Sequence, residues 1–203
     1  MTTPPLNRLI INTDWRAHSA AQGSILSCNA AEIDVTCGRR FGKTAQGAAW
    51  LTGIHEGATW GAVHTPGGRF WYVGPTLRPS CKDFYRTLKR ALGKLVKTKN
   101  DTDLSLLLFN DVLIECKSAE DADNLRGPGL DGLLIGEKGT IAAYAWDDVL
   151  SPMLADPPER CQRRVMREGT PRGRKHWTYR EHQLSLEGEG AFGPRRAFQF
   201  PTW

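Results

Sequence analysis

The chain has 203 residues, 40% of them hydrophobic and 24% charged, a globular composition long enough to bury a core. It contains no run of about 18 apolar residues, which excludes a transmembrane helix. Lys plus Arg outnumber Asp plus Glu by 27 to 22, an excess that permits a polyanionic partner without requiring one. The five cysteines are odd in number and form no C-x-x-C pair, so neither a disulfide framework nor a zinc site is supported. The N-terminus lacks a basic-then-apolar signal pattern, and a cytoplasmic protein is the expectation.

Taken in chain order, residues 1–19 open Pro- and Thr-rich and read as a loose arm, followed by a helix over 20–30. EIDVTC at 32–37 alternates and carries branched residues, the pattern of a short strand. It runs directly into GRRFGKT, and an Ala-rich helix is predicted over 43–57. RFWYVG at 69–74 is a second strand, with Pro75 and Pro79 bracketing a turn. Residues 80–97 predict a basic amphipathic helix with Phe84, Leu88, Leu92 and Leu95 on one stripe. LSLLLF at 104–109 and DVLIECK at 111–117 predict a hairpin turning at Asn110-Asp111.

DGLLIGE at 131–137 is an apolar strand ending in a carboxylate, a helix is predicted over 144–155, and QRRVMRE at 162–168 is a further strand. The Gly-, Pro- and Arg-rich stretch from 185 to 203 carries no clear pattern. Alternating strands and helices predict an α/β domain with a largely parallel sheet. Cations crowd into 78–99 and 160–180, where the ordinary reading is solvated helix and loop faces.

Gly38-Arg39-Arg40-Phe41-Gly42-Lys43-Thr44 matches the phosphate-loop pattern G-x-x-x-x-G-K-S/T, with Cys37 in the first Gly position. In such a loop consecutive N–H groups curl round phosphates at a helix N-terminus. Gly42 permits close approach, Lys43 reaches the β- and γ-phosphates, and Thr44 is placed to ligate Mg²⁺. Leu133-Leu134-Ile135-Gly136-Glu137 is the second signal. An ATPase of this kind needs an apolar strand that delivers an Asp to the Mg²⁺ shell and then a Glu that polarises the attacking water. Glu137 fits the second role, and Gly136 stands where the Asp is needed. Asp34 and Asp131 are conceivable substitutes.

The order and spacing of GRRFGKT, WYVGPT, NLRG, LLIGE and GTPRGR resemble the large terminase subunits of tailed bacteriophages, over about residues 20–180. The resemblance implies an α/β P-loop NTPase three-layer fold, with a largely parallel central sheet and an added antiparallel hairpin. It implies ATP and Mg²⁺ as cofactors. Gln22 is similar to the glutamine that reads adenine, and Arg39 or Arg40 to the arginine that senses the γ-phosphate. Arg126 resembles the arginine supplied to a neighbour's ATP, and Thr170 the threonine that couples hydrolysis to movement. The basic 80–97 helix would face DNA phosphates.

The implied function is an ATP-driven motor that moves viral double-stranded DNA into a procapsid in the host cytoplasm. It would act with a portal protein and a small terminase subunit, as a homo-oligomeric ring and without a membrane. Two departures stand out. Gly136 replaces the Walker B aspartate, and no acidic cluster for a nuclease is found. The expected organisation is an arm at 1–19, an ATPase domain at 20–185, and a tail at 186–203 leading toward an absent nuclease. A second reading follows from these departures: a prophage remnant that binds nucleotide or DNA without turnover. A helicase-like ATPase would need a second motor domain.

Overall fold

The computed structural model describes residues 17, 19–155 and 161–201. The expected arm at 1–19 falls almost wholly outside the described residues.

Helix α1, Ala20–Leu26, starts at Ser19, whose side chain accepts the Gln22 N–H and satisfies one of the unpaired donors of the first turn. Strand β1, Glu32–Cys37, is almost wholly buried, and α2, Lys43–Thr52, follows it after the Gly-containing loop. Helix α2 stops earlier than its Ala-rich pattern suggested, because Gly53 adopts the left-handed conformation and closes the last turn. Strand β2 is Arg69–Gly74, and α3 is Lys82–Leu92. Phe84, Leu88 and Leu92 form the buried stripe of α3, as predicted. Its predicted extension to residue 97 does not occur. Gly93, at φ 47°, ends the helix, and the chain turns into β3, Val96–Asn100.

Strands β4, Ser105–Leu108, and β5, Leu113–Ser118, are the predicted hairpin, with Asp111 at φ 60° in the turn. Strand β6 is Gly132–Ile135 and β7 is Arg164–Gly169. Between them the expected 144–155 helix is a π-helical turn, Ala145–Leu150, and a 3₁₀ turn, Pro152–Leu154; a proline has no N–H to continue the ladder. Helix α4, Trp177–Glu187, precedes a short β8, Glu189–Gly190, and a long β9, Gly193–Phe200.

The strands form one sheet in the order β3-β4-β5-β2-β6-β7-β1-β9-β8. From β5 to β9 the pairs are parallel, and β3-β4-β5 is the antiparallel addition. The stretch expected as a tail is part of the sheet: β9 pairs with β1 from Glu32↔Arg195 to Cys37↔Phe200. Helices α1, α2 and α3 cover one face through Ile25, Trp50, Phe84 and Leu88. Residues 119–154 cover part of the other through Leu125, Trp146 and Leu150, and α4 packs against β1 and β9. These are the three layers of an α/β domain. Truncating one fully buried anchor such as Leu88 to alanine costs about 2–5 kcal/mol.

Candidate active site

The phosphate-loop sequence lies at the C-terminal end of β1, where open parallel sheets bind ligands. Arg40 (φ 64°) and Gly42 (φ 88°) both take left-handed backbone conformations, which curls the loop before α2 starts. The first turn of α2 carries no acidic residue, so its free N–H groups and dipole favour an anion. Lys43 folds back into the loop and donates to the carbonyls of Gly38 (2.8 Å) and Cys37 (3.5 Å). Phe41 is buried and stacks on Phe200, ring centroids 5.2 Å apart. Gln22 Nε2 donates to the Phe41 carbonyl at 2.8 Å, tying α1 to the loop. Arg39, Arg40, Gly42 and Thr44 are exposed.

The facing wall is made by the ends of β6 and β7. Gly136 is buried, and its lack of a side chain is a steric necessity. A Cβ there would stand 2.4–2.8 Å from the Oη, Cε2 and Cζ atoms of Tyr72, a ring itself stacked on Phe84 at 3.8 Å. Glu137 follows at φ 50° with its side chain exposed. That conformation is unusual for a residue with a Cβ.

Ile135 pairs with Arg167, so Glu168 lies abreast of Gly136 on the face that α2 covers. Glu168 is 4% exposed, and its Oε2 accepts no hydrogen bond. Burial pushes its pKa up to about 7; the charge of Lys43 works against this, that of Glu137 adds to it, and Lys138 again lowers it. Helix α2 approaches this point closely because residue 47 is glycine. A Cβ there would meet Leu134 Cδ2 at 2.7 Å and both Glu168 oxygens at 3.5 Å. No sequence pattern marked Glu168. It sits in a run of charged residues that read as solvated.

Behind the wall is a buried ionic network. The Lys138 ammonium turns under the sheet to Asp34 on β1 and to Thr36 Oγ1 (3.0 Å). His182 Nδ1 meets the same Asp34 oxygen at 2.7 Å. Burial pushes Asp34 up, but Lys138, the His182 hydrogen bond and Arg167 outweigh it and hold its carboxyl below the ordinary range. Arg167 pairs with Glu32 and Glu181, and Arg195 pairs with the same two carboxylates. Asp34 is therefore committed to structural charges. Asp131 lies at the start of β6, the opposite end from Gly136, and accepts the Arg69 N–H at 2.8 Å. Neither is placed beside Gly136. Among the described residues no three His, Cys, Asp or Glu side chains cluster as a metal site.

No family model matches the sequence, and no curated protein matches it. Solved structures do. The large terminase ATPase domain of Thermus phage P74-26 superimposes with a TM-score of 0.69 at 18% identity, over 93% of this chain and 82% of that one. This chain has the fold of a phage large-terminase ATPase domain. The large terminase of another thermophilic bacteriophage gives a TM-score of 0.68 at 16% identity, and that of bacteriophage HK97 gives 0.67 at 12%. The chain covers 45% of the former protein and 39% of the latter, over 90% and 89% of its own length.

Within the terminase-ATPase fold the remaining predicted residues separate. Arg126 is exposed on a loop leading to the start of β6 and bonds to the Asp148 carbonyl and to Asp123, both at 3.3 Å. Thr170 follows β7 and lines a cavity of about 240 Å³ together with Thr36, Arg172, Arg174 and His182. The two basic stretches do not behave alike. On and around α3, Arg86 pairs with Asp83 and Lys89 with Asp101, while Arg78, Arg90 and Lys94 are exposed. In the second stretch Arg167 is fully buried over the Trp146 ring, while Arg172, Arg174 and Lys175 are exposed and Arg180, also exposed, pairs with Asp147. Among the described residues, no helix is long and apolar enough to cross a membrane.

Proposed function

We propose that this chain is the motor domain of a phage DNA-packaging terminase, which binds ATP and hydrolyses it to move double-stranded DNA into a procapsid. The observation that carries this reading is the phosphate loop at the end of β1, Cys37 to Thr44, on a fold shared with terminase ATPase domains. One large terminase structure of the same fold, from a thermophilic bacteriophage, is a complex with ADP.

In this reading Lys43 exchanges the Gly38 carbonyl for the β- and γ-phosphates, and Arg39 or Arg40 meets the γ-phosphate. Gln22 reads the adenine from its place against the loop. Glu137, exposed at the end of β6, orients the attacking water. Thr44, exposed in the first turn of α2, fits as a hydroxyl donor to Mg²⁺. When bound with ATP, that ion neutralises charge on the transferring phosphoryl group. Arg126, exposed on its loop, serves a neighbouring subunit's ATP in a ring. Thr170 passes the change on to the segment that follows β7. Exposed Arg78, Arg90 and Lys94 supply contacts to DNA phosphates. The portal protein and small terminase subunit are the proposed partners, and the host cytoplasm is the proposed place of action.

Phosphate release with and without double-stranded DNA tests the reading. Turnover that DNA stimulates and that Lys43→Ala abolishes is the expected result. Equal activity in the Lys43→Ala variant overturns it. Gly136 favours a second reading, a nucleotide-binding domain without turnover. ATP binding with no phosphate release in the presence of DNA selects that one.

A further inference from the structure

The wall opposite the phosphate loop lacks a carboxylate at Gly136, yet a carboxylate is present one strand away. We infer that Glu168 on β7 takes the place left empty at Gly136 and is the acidic member of the Mg²⁺ shell. The inference rests on the ATP-binding reading of the loop.

Three observations support it. First, Gly136 cannot be a simple loss that a side chain would refill, because the Tyr72 ring occupies the space a Cβ would need. The wall is built around a glycine. Second, Glu168 lies abreast of Gly136, at the same end of the sheet and on the same face, one strand closer to the phosphate-loop strand β1. A carboxylate moved this way stays on the side of the sheet that carries α2, Lys43 and Thr44. Third, Glu168 is buried with Oε2 unpartnered. A buried carboxyl oxygen without a hydrogen bond is costly, and such groups are retained where they pair with a charge or coordinate a metal. Asp34 and Asp131 are already engaged elsewhere and Glu137 is exposed, which leaves Glu168 as the buried acid on this wall.

Glutamate rather than aspartate suits the position. Its side chain is one methylene longer, and its carboxyl group lies under Gly47 of α2, where a Cβ would clash with Leu134 and touch both Glu168 oxygens. Gly136 on β6, Glu168 on β7 and Gly47 on the helix above are thus neighbours on one face of the sheet.

The test uses a fluorescent ATP analogue, titrated into the whole chain in EDTA and in Mg²⁺, with wild type, Glu168→Gln and Glu168→Asp. Mn²⁺ replaces Mg²⁺ in parallel, so that bound metal is read by electron paramagnetic resonance rather than by activity. Wild type is expected to bind the analogue more tightly with Mg²⁺ than in EDTA. Glu168→Gln is expected to keep its EDTA affinity, which shows that it is folded, and to lose at least about tenfold of the metal enhancement. Glu168→Asp falls between. A Glu168→Gln variant with wild-type metal enhancement and wild-type Mn²⁺ binding overturns the inference and leaves the ATP-binding reading intact. Wild type that binds no nucleotide overturns both.

Discussion

Lys138 and Asp34 form a fully buried ion pair that joins the turn carrying Glu137 to the strand carrying the phosphate loop. Glu137 holds a left-handed conformation, and the next residue anchors that turn beneath the sheet. Removing one partner of a buried pair strands the other charge. Lys138→Met is therefore expected to cost about 3–5 kcal/mol in urea unfolding. Paired with Asp34→Asn, the loss should be smaller than the sum, with a coupling of at least about 1 kcal/mol in a double-mutant cycle. In whatever Lys138→Met protein folds, turnover should fall more than nucleotide affinity, since it is Glu137 that loses its support.

The Tyr72 ring predicts the behaviour of changes at Gly136. Gly136→Ala forces a contact that has no space, and overpacking of this kind costs about 1–3 kcal/mol. Gly136→Asp, which puts the expected aspartate into the sequence, should not raise turnover by itself. Thermal unfolding of Gly136→Ala alone and combined with Tyr72→Ala checks the steric cause. The second change removes the clash, so the penalty for Gly136→Ala should shrink in that background.

Stability should fall as pH rises from about 4.5 to about 7, through the titration of Glu168. Its carboxyl keeps its proton in the folded chain up to about 7 because burial disfavours the charge, with Lys43, Glu137 and Lys138 adjusting the balance. The unfolded chain releases the same proton near the ordinary glutamate value. Between those two values the folded state binds more protons, so stability is present at low pH and lost as pH rises through the folded value. Urea midpoints from pH 4.5 to pH 8 should therefore decline in wild type and decline less in Glu168→Gln. Equal slopes in the two proteins contradict the assignment.

Gln22 offers a change confined to the loop. Its bond to the Phe41 carbonyl positions the loop from outside it. A neutral hydrogen bond is worth about 0.5–1.5 kcal/mol, so Gln22→Ala should weaken ATP-analogue binding by up to about tenfold and lower the melting temperature by only a few degrees. Isothermal titration and thermal unfolding separate the two effects.

Most of the fold was legible because its signals were local. EIDVTC alternates, GRRFGKT follows it without a gap, and a helix comes next, so strand, loop and helix were each readable in place. The end of α3 was also marked, by Gly93, although the apolar period ran on through Leu95 and hid it. Strand β9 left no comparable mark. Gly193, Pro194 and two arginines give no clear pattern, and the strand exists because β1 pairs with it from far away in sequence. Arg167 and Glu168 were illegible for the same kind of reason. Adjacent on β7, they face opposite sides of the sheet, and burial makes one a structural cation and the other an acid with one oxygen lacking a hydrogen bond. A charged run in sequence says nothing of which members a parallel strand will enclose.

The stacking of Phe41 on Phe200 has a mechanical consequence. The phosphate loop is fastened to the end of β9, so a displacement of that strand end reaches the loop through the ring pair as well as through the pairing of β9 with β1. Conversely, any rearrangement of the loop is handed to the last strand by two rings in direct contact.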